Sequence, residues 1–462
     1  MTDTDVSKKR SSRTYLTRDW TKGSIIRNLL SLSWPIMISD GLRTVGPTID
    51  MIWVGKLGTA AVAGVGVSSM AILAVMVGMM GLNAGMRALI ARFMGASDTE
   101  SANHVAQQSL VVSAVYAAVI ALIGILYAEP ILSLFGLEAD VITEGAAYMR
   151  ITFAGTAVLS FGMMAEGIMQ SSGDAVTPMR ISVFYRILHI ALCPFLIFGW
   201  WIFPRMGVSG AAISSIVAQG LGMVIALLVL YTGRSRLRLS MKNLCIDFKT
   251  IWRMVRIAIP ISLAMVERAF GRLAFVWLMA PFGTVAVAAH SIIERIEVFL
   301  TTPAFGFGRG GGVLVGQNLG ARQPERAERS AWMAVGVVQG IMVIAAVVLL
   351  VWPEPIIRFF STDPELVSSG SIFLMIMVAG IFGVGFDCVL SNCLAGSGDT
   401  LPTMFVTLLT MVAVPLPLGL ILPDIAGLGV YGVRWAIVIG MIVGAIGYTL
   451  YFRLGRWKRK MI

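Results

Sequence analysis

The chain has 462 residues, 57% of them apolar and only 13% charged, with a net charge of +11 and a mean hydropathy of +0.83. Soluble domains average about 45–50% apolar and roughly 25% charged residues, so a string of soluble domains, a secreted disulfide scaffold and a disordered regulator are excluded. What remains is an all-α polytopic membrane protein, whose spans take about 20 apolar residues each.

The polar start carries Lys8, Lys9, Arg10, Arg13, Arg18 and Lys22 and lacks the apolar core of a signal peptide. Apolar runs then predict helices near 25–53, 60–86, 106–127, 141–169, 176–202 and 209–231. A basic segment at 233–250, with Arg234, Arg236, Arg238, Lys242 and Lys249, separates these from a second six near 251–280, 285–307, 330–352, 366–394, 401–422 and 430–452. Arg453, Arg456, Lys458, Arg459 and Lys460 follow the last span. Basic clusters flanking apolar spans follow the positive-inside pattern. They place both termini on the cytoplasmic side of a bacterial-type inner membrane, and no nucleic-acid partner is expected. The acidic connection at 128–145 fits the opposite side.

The second six spans repeat the first. At an offset of 225 residues, Pro35 matches Pro260, Gly58-Thr59-Ala60 matches Gly283-Thr284-Val285, Gly95-Ala96 matches Gly320-Ala321, and Glu129-Pro130-Ile131 matches Glu354-Pro355-Ile356. Gly173-Asp174 matches Gly398-Asp399 in the same register, and only near the end does it slip, with Gly207-Val208 against Gly429-Val430. Chance does not hold one register over so many landmarks. The reading is two homologous six-helix lobes, 1–232 and 251–462, joined by a basic cytoplasmic linker at 233–250. Parallel repeats of this kind are a transporter architecture with substrate between the halves and alternating access. A passive channel is the competing reading from another class.

At these residues the chain resembles the multidrug and toxin extrusion (MATE) family of secondary transporters. The carriers are Pro35 with Asp50 fifteen residues later, Val54-Gly55 before Gly58, Val315-Gly316-Gln317-Asn318-Leu319-Gly320-Ala321 and the paired turns Gly173-Asp174 and Gly398-Asp399. The resemblance is prokaryotic in character, with mixed DinF-type and NorM-type features. It implies twelve helices in two lobes and export of amphipathic, mostly cationic compounds by antiport against protons or sodium. A flippase for polyprenyl-linked saccharides, from the same wider superfamily, is the nearer rival; the intramembrane arginines would suit its diphosphate.

Ionisable groups within a bilayer are costly and mark functional sites by default. By the resemblance, Asp50 matches the first-helix aspartate of cation coupling. Pro47, one turn earlier, removes a backbone donor and predicts a kink; Pro35, Pro47 and Pro260 are the candidate hinges. The fifth span reads His189-Ile190-Ala191-Leu192-Cys193-Pro194, where the DinF-type branch carries Asn and then Asp before Pro. The i, i+4 spacing puts His189 and Cys193 on one helix face, and Ser215 falls where the family often has a hydroxyl. Losing a carboxylate weakens a hard-cation site, while imidazole titrates near physiological pH, so protons are favoured over sodium. A core histidine bonded to a backbone carbonyl is the alternative. Asp40 is either a further coupling carboxylate or a partner of Arg43, three residues on.

In the second lobe Glu267, Arg268, Arg272, Glu294, Glu297 and Asp387 are the candidate cavity residues. Glu267 resembles the NorM-type seventh-helix glutamate but lies one residue early, with Arg268 in the expected place. Asp387 lies about one turn from the family's tenth-helix aspartate. An internal ion network among these acids and the arginines competes with a role in substrate binding. Gly306-Phe307-Gly308-Arg309-Gly310-Gly311 has dinucleotide-motif spacing but no preceding strand, and close helix packing is the better reading. Cys193, Cys245, Cys388 and Cys393 show no paired spacing. There is no phosphate-binding loop, no metal cluster and no nucleophile–base pair. The expectation is a transporter and not an enzyme, with a coupling ion in place of a cofactor; its partners are small amphipathic substrates and the bilayer.

Overall fold

A computed structural model describes residues 18–136, 138–241, 244–425, 427–460 and 462. Lys8, Lys9, Arg10, Arg13 and Lys242 lie outside the described residues. Helices dominate, and there is no strand among the described residues. The first half holds α1 (Ile25–Val54), α2 (Thr59–Gly95), α3 (Thr99–Ser133), α4 (Ala139–Ala154), α5 (Thr156–Ser172), α6 (Val176–Phe198) and α7 (Gly207–Tyr231). The second holds α8 (Phe248–Met279), α9 (Thr284–Gly320), α10 (Pro324–Val351), the short α11 (Pro353–Arg358), α12 (Pro364–Ser397), α13 (Leu401–Leu408), α14 (Pro415–Ile425) and α15 (Val430–Arg453).

Two of the predicted spans are broken. The helix expected over 141–169 is α4 and α5, bent by 48° at Gly155, where Ile216 of α7 occupies the space a side chain would need. The one expected over 401–422 is α13, a π-helical turn at Leu409–Ala413, and α14. Pro415 explains that turn: it donates no hydrogen bond and its ring pushes away the carbonyl one turn earlier, so an extra residue is accommodated. Counting each broken helix once and setting aside α11, which has only 6 residues, gives twelve spans among the described residues, in agreement with the repeat. Eight of the spans, the broken α13–α14 among them, are apolar and long enough to cross a bilayer, and the bent α4–α5 pair also qualifies. The remaining long helices, α1, α8 and α9, carry most of the charges discussed below.

The chain divides into two compact units. One comprises the described residues up to Trp20 with Ile38–Ala258, the other Thr21–Met37 with Ile259–Ile462. In each half the boundary therefore runs through the first helix, close to the repeat-related Pro35 and Pro260. In the first unit α2 packs on α3 and α4, and α7 on α5 and α6. Ser68 Oγ donates to the Gly145 carbonyl at 2.9 Å where α2 and α4 meet, and Asn83 Nδ2 donates to Met163 O at 2.9 Å. The linker belongs to this unit. Gln108 Nε2 bonds Cys245 O at 2.7 Å, Asn103 Oδ1 accepts from Ser240 N at 2.9 Å, and Gln107 reaches the Ser240 carbonyl. These bonds hold the linker along the start of α3.

The second unit is built on α12, which packs against α9, α10 and α15. The glycine run of α9 permits this: Gly306 and Gly310 lie against Met37 and Ser33 of α1, and Gly308 and Gly312 against Cys388 and Asn392 of α12. Small residues at such spacing let backbones approach within a bilayer. Both Gly-Asp turns end a helix on a left-handed glycine, Gly173 at φ 100° and Gly398 at φ 83°. Asp174 accepts from Thr177 N at 3.1 Å and from Ser235 Oγ at 3.0 Å. Asp399 accepts from Tyr451 Oη at 2.6 Å and from Lys460 Nζ at 3.2 Å. Ser235 follows α7 and Lys460 follows α15, so the segments after the last helix of each half brace equivalent turns.

Candidate functional site

In the first unit α1 and α6 bring Asp50, His189 and Cys193 together. Asp50 is 4% exposed and His189 1%. His189 Nε2 lies 3.0 Å from Asp50 Oδ1, and Cys193 Sγ lies 3.5 Å from the same oxygen. The other ring nitrogen is fixed from outside the trio: Arg186, one turn earlier on α6, donates from Nη1 to His189 Nδ1 at 3.0 Å. A guanidinium only donates, so Nδ1 must accept and the imidazole proton sits on Nε2, directed at Asp50. Arg186 finds room because Gly46 of α1 lies against its guanidinium, where a Cβ would collide with it. Arg186 lies three residues before His189 in the sequence, yet nothing in that spacing assigns it to the histidine.

The same three ligand types raise the question of a metal ion, since their donor atoms all lie within 4.8 Å of one another. A metal-bound imidazole keeps its proton on the far nitrogen and donates it to an acceptor. Here the far nitrogen accepts from Arg186, which opposes a metal on Nε2. Sodium prefers several oxygen ligands, and among these three side chains only Asp50 offers oxygen.

The other first-unit candidates stand apart from this trio. Arg43 Nη2 pairs with Glu166 Oε2 of α5 at 2.7 Å, and Ser182 Oγ donates to the other Glu166 oxygen at 3.1 Å. Arg43 thus reaches across to another helix, with Asp40 an electrostatic neighbour. Ser215 accepts from Gln219 Nε2 at 2.8 Å on its own helix. Pro35, Pro47 and Pro260 all lie within continuous helices.

In the second unit a cavity of about 120 Å³ is lined by five of the predicted residues, Arg268, Arg272, Glu294, Glu297 and Asp387. Arg268 Nη2 pairs with Asp387 Oδ2 at 3.0 Å. Glu267 lies outside the cavity lining, one of its carboxylate oxygens buried without a hydrogen-bond partner. Two residues that sequence reasoning missed complete the lining: His290, 1% exposed, and Arg434, 2% exposed. Arg434 Nη1 donates to His290 Nδ1 at 2.9 Å, and His290 Nε2 faces Glu294 Oε1 at 3.9 Å. His290 lies on α9 and Arg434 near the start of α15, 144 residues away in sequence.

A family model for MatE matches residues 35–195 and 260–421, both halves of the repeat. The chain belongs to the MatE family. It is a multi-pass membrane protein and a MATE family transporter. It is 25% identical over 442 residues to a protein of Thermotoga maritima described as "Probable multidrug resistance protein NorM", covering 95% of this chain and 94% of the relative. Its fold matches a crystal structure of MATE in the bent conformation with a TM-score of 0.89, at 22% identity, over 94% of this chain and 96% of that one. A MOP superfamily transporter from Pyrococcus furiosus, described as having a binding pocket of reverse polarity that suggests a different function, matches with a TM-score of 0.88 at 22% identity, over 96% and 98% of the two chains. The MatE match begins at Pro35 and resumes at Pro260, so the repeat read from the sequence is the one the family carries.

Proposed function

We propose that this chain is a multidrug exporter of the inner membrane, driven by proton antiport, with Asp50 as the proton-binding group and alternating access between the two lobes. The observation that carries this is the Arg186–His189–Asp50 chain, whose members are each no more than 4% exposed. Because Arg186 occupies Nδ1, an incoming proton cannot settle on the imidazole without breaking that hydrogen bond. It goes to Asp50, which alone in the chain has a free lone pair on a carboxylate. Protonation removes a buried charge, weakens the bond from His189 Nε2 and releases α1 from α6 just beyond Pro47. His189 therefore acts as a fixed donor that tunes Asp50. The name of the Thermotoga maritima relative supports a drug as cargo, and the cavity of the second unit is the proposed substrate site.

The arginines bear on the saccharide-flippase reading. Arg43 and Arg268 are paired with carboxylates, while Arg186 and Arg434 are bonded to histidines, which leaves few free guanidinium groups for a diphosphate. Efflux of a cationic dye from proteoliposomes separates the readings. An imposed proton gradient is expected to drive efflux in the wild type and to fail with Asp50→Asn. Efflux driven by sodium alone would return the site to an oxygen-ligated cation. Dye leakage equal with and without a gradient would indicate a channel, and absence of dye transport would promote the flippase.

A further inference from the structure

The cavity of the second unit carries an arrangement that simple binding of a cation does not use. His290 Nδ1 accepts from Arg434 Nη1 at 2.9 Å, so the ring proton sits on Nε2. That N–H is buried and has no hydrogen-bond partner, Glu294 being too distant at 3.9 Å. Arg434 Nε is a second buried donor without a partner. Leaving a buried donor unsatisfied costs on the order of 1–3 kcal/mol, and two of them on side chains that line one cavity call for an acceptor from outside the chain. Glu294 and Glu297, at i, i+3 on α9, line the same cavity and share a helix face. Arg268 is taken by Asp387, and among the described residues no ion pair within 4 Å joins Arg272 to either glutamate.

From this we infer that the cavity selects a small organic zwitterion, or the zwitterionic head of a larger substrate. Its carboxylate accepts from His290 Nε2 and Arg434 Nε, and its ammonium lies against Glu294 and Glu297. A ligand with only a positive charge leaves both donors unsatisfied and meets Arg272 and Arg434. One with only a negative charge meets the two glutamates. A dipolar head of amino-acid size answers both, and a volume of about 120 Å³ holds roughly four water-sized groups. Phe275 and Phe305 line the cavity as well and offer apolar surface to a side chain. This inference rests on the reading of the cavity as the substrate site.

The test is calorimetric titration of the purified full-length protein in detergent micelles with L-phenylalanine, with its amide, which is only a cation, and with its N-acetyl derivative, which is only an anion. Phenylalanine is expected to bind at least roughly tenfold more tightly than either derivative. Glu297→Gln is expected to narrow its lead over the N-acetyl compound, and Glu129→Gln, at an exposed ion pair with Arg150 in the other unit, is expected to leave the preference intact. The amide binding as well as phenylalanine, or no heat with any of the three, would overturn the inference. Proton-driven dye efflux together with equal binding of the amide overturns this inference and leaves the exporter standing; no dye efflux together with a preference for phenylalanine leaves this inference standing and removes the cationic cargo.

Discussion

Each unit contains a buried histidine whose Nδ1 is held by an arginine and whose Nε2 faces a carboxylate, yet the two are not copies. At the offset of 225, His189 corresponds to Val414, His290 to Val65, and Asp50 to Phe275. What the repeat does preserve lies beneath. Gly46 corresponds to Gly271, and Arg186 to Met411. Gly46 lies against Arg186 and Gly271 against Met411, so one close approach between helices has kept its glycine and exchanged the residue seated on it. Arg43 likewise corresponds to Arg268, and each pairs with a carboxylate on an equivalent helix, Glu166 on α5 and Asp387 on α12. The scaffold was duplicated and the titratable groups diverged on it. In the first unit the histidine donor meets its carboxylate at 3.0 Å, a closed chain suited to holding a proton. In the second the gap is 3.9 Å, an open one suited to a ligand.

Substitutions at matched positions sharpen that contrast or break it. The largest effect is expected from Asp50→Asn, which should lower proton-driven efflux by tenfold or more, on the order of a strong coupling energy, with little change in melting temperature, because the amide oxygen of Asn still accepts from His189 Nε2. Next come Arg43→Met and Arg268→Met. Each strands a largely buried carboxylate at a cost of about 2–4 kcal/mol, and Arg43→Met/Glu166→Met should recover most of the loss in thermal stability. If only one unit is destabilised, the equivalence of the two pairs fails. Gly46→Ala and Gly271→Ala should then separate. The first pushes Arg186 off His189 and reduces coupled efflux several-fold. The second meets the Met411 main chain and costs about 1–3 kcal/mol in stability without touching coupling.

The smallest effect is outside the bilayer, where Asp247 begins α8. The Thr250 hydroxyl, and after it His104, hold its carboxyl below the usual carboxylate range. A depressed carboxylate contributes stability that is present above its ordinary value near about pH 3.9 and is lost as pH falls through the lowered one. Amide protection factors in the linker, which correct for the intrinsic pH dependence of exchange, should therefore be unchanged from neutrality down to roughly pH 4 and fall only below it. Asp247 is half-exposed, so the change is slight.

The architecture was legible because its signals are local and periodic: apolar runs, basic flanks and a fixed offset of 225. Gly155 and Pro415 were legible as residues but not as breaks, since a bend depends on what packs beside it, here Ile216 of α7 in the first case. The site was legible in part. Asp50, His189 and Cys193 follow from helix spacing and resemblance. Arg186 sits one turn from His189 and was still missed, because its role depends on which ring nitrogen it reaches and on the space left by Gly46. His290 and Arg434 are 144 residues apart, and no pattern in the sequence joins them.

In the proposed cycle the coupling proton resides on Asp50. Proton release on substrate addition, followed with a pH dye in weakly buffered detergent solution, tests it directly. Release is expected in the wild type, is expected to disappear in Asp50→Asn and is expected to persist, with altered pH dependence, in Arg186→Met. Undiminished release from Asp50→Asn would contradict it.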